Sequence, residues 1–232
     1  MEIVKRDSDN VVVSRVDSIL KTTSKILART KTTNLTDTSW IDKIFLWADA
    51  NGVSELILPR DRSELLSIEE LNLSNLGLTD IPPELGKLTN LKKLYLAYNK
   101  LTKIPKEIGD LKNLTGFYLG HNKLTSIPKE IGNLTNLVAL FLGNNYLTKL
   151  PPEIGNLKNL ISLYIARNDI FKIPPEIGNL ANLMGLNLGR NHISEIPSEI
   201  GNLTKLTGLY LGENRILKIP AEIGNLIELE EL

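Results

Sequence analysis

From Ile68 to the last residue, apolar and polar positions alternate in one arrangement that returns every 23 residues. Its first apolar position falls at Ile68, Leu91, Leu114, Leu137, Leu160, Leu183, Leu206 and Leu229, with no insertion between copies. Counting from that residue, positions 1, 4, 6 and 11 are apolar; in the copy that starts at Leu137 they are Leu137, Leu140, Leu142 and Leu147. Alternation through positions 4 to 6 predicts a short strand whose position-5 side chain faces outward. A fixed period in the twenties predicts a solenoid, in which each unit buries its apolar face only against its neighbours.

Position 9 is Asn99, Asn122, Asn145, Asn168, Asn191 and Asn214, and Leu76 in the first copy. A buried Asn beside a turn satisfies backbone groups that stacking leaves unpaired. The back half of each copy reads Ile-Pro-x-Glu-Ile-Gly-Asn-Leu, and it holds every proline except Pro59. Proline suits a solvated outer segment and forbids a central strand. The Pro-x-Glu-Ile-Gly piece is too short for an α-helix, so a 3₁₀ turn is expected. Compact outer turns behind wider strands would bend the array, with the strands on the concave side.

Residues 1–55 lack the repeat. Val16, Ile19, Leu20, Ile26 and Leu27 recur at helical spacing and predict a helix over about Ser14–Arg29. Thr30–Thr38 reads as a connector. A second helix should begin at Ser39, with Asp42 as part of an imperfect capping box and Asn51-Gly52 as its stop. Its stripe is Ile41, Ile44, Phe45 and Ala48, and Trp40 and Trp47 lie near one face, where cap core is the expected role. A solenoid's first unit needs such a lid. Leu58-Pro59 and Leu65 keep the period relative to Ile81-Pro82 and Leu88, which makes 56–67 a degenerate half repeat. The expected domains are therefore a helical cap over 1–55 and an array over 56–232. The array comprises that half repeat, seven full repeats over 68–228 and a truncated eighth over 229–232.

The pattern L-x-x-L-x-L-x-x-N-x-L-x-x-I-P-x-E-I-G-N-L resembles leucine-rich repeat proteins of the 23-residue class. It is similar to the repeats of bacterial leucine-rich repeat proteins, Roco-type GTPases and Ras-suppressor-type scaffolds. The resemblance covers residues 68–232 and implies an α/β leucine-rich repeat solenoid with a curved parallel sheet. It also implies binding of a protein or peptide on the concave strand face, without cofactor or reaction. Two further contexts are a recognition domain within a larger Roco-like signalling protein, and a bacterial effector or adhesin that binds a host protein.

The outward strand columns are the informative ones. Position 5 is Asn72, Tyr95, Tyr118, Phe141, Tyr164, Asn187 and Tyr210, set between small residues at positions 3 and 7. With strands about 4.8 Å apart, the rings should form a continuous ladder along a smooth groove. Position 8 adds Tyr98, His121, Arg167 and Arg190. Aromatics beside arginines have the make-up of an interface hot spot. The alternative role is a stacking ladder that stiffens the sheet. The outer Glu column, Glu84 to Glu222, reads as first-turn residues favoured by free amides.

Composition removes several classes. Lys plus Arg equals Asp plus Glu at 27 each, so no bulk field favours nucleic acid or an anionic membrane. Cys is absent, which excludes disulfides, thiol catalysis and thiolate metal sites. His121 and His192 are three repeats apart in different columns and cannot share a metal. There is no phosphate-binding or nucleophile-elbow motif, and each Gly is ascribed to a turn, a small column or a cap end. No apolar run approaches the roughly 18 residues of a membrane helix, and none near the N-terminus suits a secretory signal. A cytoplasmic location is expected, with secretion by another route left open. At the far end, Leu226, Leu229, Leu232 and the Tyr210 strand are expected to meet water. The expectation is a cut from a longer chain, or failing that a tail-to-tail homodimer.

Overall fold

The computed structural model describes residues 39–231. The helix expected over Ser14–Arg29, its connector and Leu232 lie outside them. Two helices come first, α1 (Ser39–Ala50) and α2 (Arg62–Ser67). Seven three-residue strands follow: β1 (Glu70–Asn72), β2 (Lys93–Tyr95), β3 (Gly116–Tyr118), β4 (Ala139–Phe141), β5 (Ser162–Tyr164), β6 (Gly185–Asn187) and β7 (Gly208–Tyr210). They form one parallel sheet in chain order, with every pair in register at the 23-residue period. The position-4 column reads Leu71, Leu94, Phe117, Leu140, Leu163, Leu186 and Leu209. All of these side chains are buried in one core that runs the length of the array.

Behind the sheet, each repeat makes a five-residue 3₁₀ turn, from Pro83–Lys87 to Ala221–Asn225. Proline precedes every turn in extended geometry, which sets the entry angle without needing an N–H. The Glu column sits in the first turn of each, as expected.

The convex glycines lie within the 3₁₀ turns, as expected, and all but Gly224 are also points of close approach between neighbouring turns. A Cβ on Gly132 would lie 2.8 Å from Glu153 Cβ and overlap the Glu153 carbonyl oxygen, and Gly109, Gly155, Gly178 and Gly201 repeat this contact.

Two asparagine columns tie the repeats together. At position 9, Asn145 Oδ1 accepts from Leu124 N at 3.0 Å, and Nδ2 donates to Leu119 O at 3.1 Å and Leu142 O at 3.0 Å. Asn99, Asn122, Asn168 and Asn191 repeat the set, all buried. This column was expected; the second was not. Asn90, Asn113, Asn136, Asn159 and Asn182 each donate Nδ2 to a carbonyl 24 residues back, at 2.7 to 2.9 Å.

At the N-terminal side, Ile41, Ile44, Phe45 and Ala48 of α1 are buried in the same core, and Trp40 and Trp47 pack half-buried against it. Gly52, at φ +66°, ends the helix as expected. The Asp42 carboxylate, expected in an imperfect capping box, pairs with Arg62 of α2 at 2.9 Å. Leu58 and Leu65 are buried, but the segment between Leu58 and the first strand forms a short α-helix, capped by Asp61, in place of a 3₁₀ turn.

Lys43 of α1 donates to Glu84 at 2.9 Å, joining the helix to the first outer turn. That hydrogen bond holds the Glu84 carboxyl below its usual range. A depressed folded pKa contributes stability above the unfolded value and loses it as pH falls through the folded one. Glu84→Gln is therefore expected to lower the melting temperature at neutral pH and to leave it unchanged at about pH 2. An equal deficit at both pH values would show that the charge is not what matters.

The far end also differs from expectation. Leu226 is buried at 5% exposure, and β7 is not a bare edge. Leu209 N donates to Glu231 O at 2.9 Å, and Glu231 N to Thr207 O at 3.1 Å, so residues 230–231 continue the sheet. Ile227 and Leu217 do stand exposed there, at 83% and 93%.

Candidate functional site

The strand face is built from side chains that the β pleat cannot bury. Positions 4 and 6 point into the core, so positions 3, 5 and 7 point out. Tyr95, Tyr118, Phe141 and Tyr164 are half-buried and stack in sequence. Their centroids are 4.6, 5.2 and 6.0 Å apart, with interplanar angles of 7°, 22° and 19°. The expected continuous ladder therefore stops at Tyr164, because Asn187 supplies no ring. Tyr210 stands apart on β7, and its hydroxyl donates to the Glu231 carboxylate, which raises the phenol pKa.

The small columns let the rings lie down. A Cβ on Gly116 would come 2.9 Å from Tyr118 Cε2, and one on Gly143 would overlap the Tyr164 ring. Between the ladder and position 8 lies a hollow of about 340 Å³. Its lining includes Tyr118, Phe141, Tyr164, His121 and Asn144, with Ala97, Gly120 and Gly143 also contributing. The structure thus brings Tyr118, Phe141, Tyr164 and His121 together. Tyr98 stacks on His121 at 4.2 Å, extending that wall towards the first repeats.

Arg167 and Arg190 are placed in different electrostatic surroundings. Arg190 Nε donates to Glu213 at 2.7 Å, while Arg167 is exposed and has no ion pair among the described residues.

Position 8 holds a feature that residue identity did not signal. Asn75, Tyr98, His121, Asn144, Arg167, Arg190 and Glu213 all have φ between 56° and 58°. That left-handed geometry costs a non-glycine residue roughly 1 kcal/mol. It is held by the next repeat: His121 N donates to Gly143 O, and Arg167 N to Gly189 O, both at 2.9 Å. Asn and His tolerate this region more readily than Tyr98 and Arg167 do, and these two hold it where the neighbouring strand accepts their amides. The result is a fixed backbone from which the position-8 side chains project.

No group of three or more His, Asp or Glu side chains among the described residues is placed to hold a metal. No described helix is long and apolar enough to cross a membrane.

Three family models match the chain. They are described as a leucine rich repeat over residues 67–124, leucine rich repeats in two copies over 112–152, and a leucine-rich repeat region over 162–232. No curated protein matches. Among solved structures, a TDR receptor is 37% identical over 76% of this chain and 32% of its own, with TM-score 0.68. The ectodomain of the plant membrane receptor kinase GASSHO1/SCHENGEN3 from Arabidopsis thaliana is 30% identical. That match covers 73% of this chain and 27% of the receptor, with TM-score 0.62, and the receptor was solved in complex with CASPARIAN STRIP INTEGRITY FACTOR 2. An LRR protein of Leptospira interrogans is 33% identical over 81% of this chain and 62% of its own, with TM-score 0.43. The chain therefore spans less than two thirds of each of these proteins.

Proposed function

We propose that this chain, which is a leucine-rich repeat protein, is a non-enzymatic module that binds a protein or peptide along its strand face. One observation carries the reading: the hollow walled by Tyr118, Phe141 and Tyr164 on one side and His121 on the other, over Ala97, Gly120 and Gly143. Rigid rings lose little entropy on binding, and a floor of glycine and alanine lets a partner's backbone come close. Arg167, free of an ion pair among the described residues, gives one end of that wall a charge for a partner's carboxylate. The complex of the Arabidopsis receptor with CASPARIAN STRIP INTEGRITY FACTOR 2 supports ligand binding by an array of this kind.

The test is a peptide selected against the wild-type protein from a random display library. Replacing Tyr118, Phe141 and Tyr164 by Ala is expected to weaken its binding by about 2–4 kcal/mol, roughly 30- to 1,000-fold. Unchanged affinity with a lowered melting temperature would leave the ladder as sheet reinforcement alone. Membership of a larger Roco-like signalling protein, or an effector or adhesin role against a host protein, would each place the same face on a different partner. Sequence of the parent gene beyond residue 232 and assay of culture medium separate them.

A further inference from the structure

The repeats act as controls for one another, and one flank breaks their pattern. Position 11 is buried in repeat after repeat, as at Leu124, Leu147 and Ile170. The position-10 amides donate to the position-11 carbonyl of the repeat before: Tyr146 N to Leu124 O at 2.8 Å and His192 N to Ile170 O at 2.9 Å. Positions 10 and 12 therefore form outward rows beside the strand face. Position 12 is Thr or Ser in five repeats, at Thr79, Thr102, Thr125, Thr148 and Ser194. In the other two it is Phe171, 53% exposed, and Leu217, 93% exposed. Tyr146 at position 10 is 54% exposed. These side chains fill no core, and Phe171 only rests against the His192 ring at 5.4 Å.

The same flank gathers positive charge in a chain whose formal net charge is zero. Position 13 supplies Lys103, Lys149, Lys172 and Lys218, and position 10 adds Lys100, Lys123 and Arg215. All are exposed, and none is in a salt bridge among the described residues. The Glu column of the outer turns stands apart from them, and the flank itself holds three acids, Asp80, Asp169 and Glu195.

We propose that this flank docks an acidic polypeptide segment carrying aromatic anchors, at a surface separate from the strand-face hollow. Charge complementarity names the partner's sign, and Tyr146, Phe171 and Leu217 name its anchors. Asp169, 3.5 Å from His192, and Glu195 sit within the strip and would oppose a flat anionic membrane, whereas a polypeptide can place a cation against them. The strip is also a line along the array, which suits a linear chain.

The test is fluorescence anisotropy with a labelled poly(Glu,Tyr) copolymer on the whole chain. The wild type is expected to bind, and to bind poly-Glu more weakly. The Lys149→Glu/Lys172→Glu/Lys218→Glu variant and the Phe171→Ser/Leu217→Ser variant are each expected to lose about tenfold or more in affinity. The Tyr118/Phe141/Tyr164 triple-Ala variant is expected to bind as the wild type does, which keeps this proposal distinguishable from the strand-face reading. Matching thermal melts show that a loss is not unfolding. Absence of binding by the wild type, unchanged binding by both flank variants, or binding only to phosphatidylserine vesicles or poly-U would overturn the proposal.

Discussion

Replacing Asn145 by Leu is expected to destabilise the centre of the array by about 1–3 kcal/mol, although the two side chains are close in volume. The leucine fits the space but leaves Leu124 N without a partner, while Leu119 O and Leu142 O keep the side-chain amides of Asn122 and Asn168. Each buried group left unpaired costs about 1–3 kcal/mol. Leu76 shows where the substitution is tolerated: it holds position 9 in the first repeat, and no full repeat precedes it. A urea titration is the measurement. A loss below about 1 kcal/mol would mean that water reaches the orphaned amide, and that the column organises rather than stabilises.

The second large effect is Gly132→Ala, expected to cost about 2–3 kcal/mol. The new methyl group would press on the Glu153 backbone, which belongs to the next turn and cannot swing aside as a flexible side chain could. The outer turns must part, and the strain passes to the repeats on both sides. Gly224 is an internal control. It holds the same position in the final 3₁₀ turn, with nothing within 4 Å of a Cβ. Gly224→Ala is expected to be neutral or mildly stabilising, by up to about 1 kcal/mol through a less flexible unfolded chain. Equal losses in the two variants would show that local backbone preference, not stacking, accounts for the glycine.

These residues also show how far the fold is legible in the sequence. Period, strand positions, 3₁₀ turns and the position-9 column can be read because each is a local rule repeated with the same residue types. Asn90, Asn113 and Asn136 are as periodic as Asn99 and Asn122, yet their setting conceals them. They sit in an outwardly polar stretch, and only the structure gives their amides a carbonyl in the preceding repeat. The glycines of Glu-Ile-Gly look like local conformation because contact between consecutive turns has no signature within one repeat. The left-handed position-8 backbone is hidden for the opposite reason: Tyr98, Arg167 and Arg190 prefer other geometry while Asn75, His121 and Asn144 tolerate it, so the column has no single residue signature. Of the candidate site, the four-ring stack is legible from column spacing. The hollow beside it is not, since it depends on how Tyr118 and Tyr164 recline over glycine. The flank leaves no periodic signal, because Phe171, Tyr146 and Leu217 are exceptions to the repeat rather than instances of it.

The register of the sheet has a consequence for anything that lies along it. Strands advance about 4.8 Å per repeat, whereas an extended peptide advances about 3.4 Å per residue, or 6.8 Å between side chains on one side. The two rulers disagree, so a bound peptide cannot place equivalent side chains on equivalent repeats. They come back into step only after about ten residues over seven repeats. Between those points a peptide slides past rings that do not match it, and its position must be chosen by whichever repeat differs from the others. The missing ring at Asn187 and Arg167, unpaired among the described residues, would then set the phase of the ligand, like the single offset mark on a vernier scale.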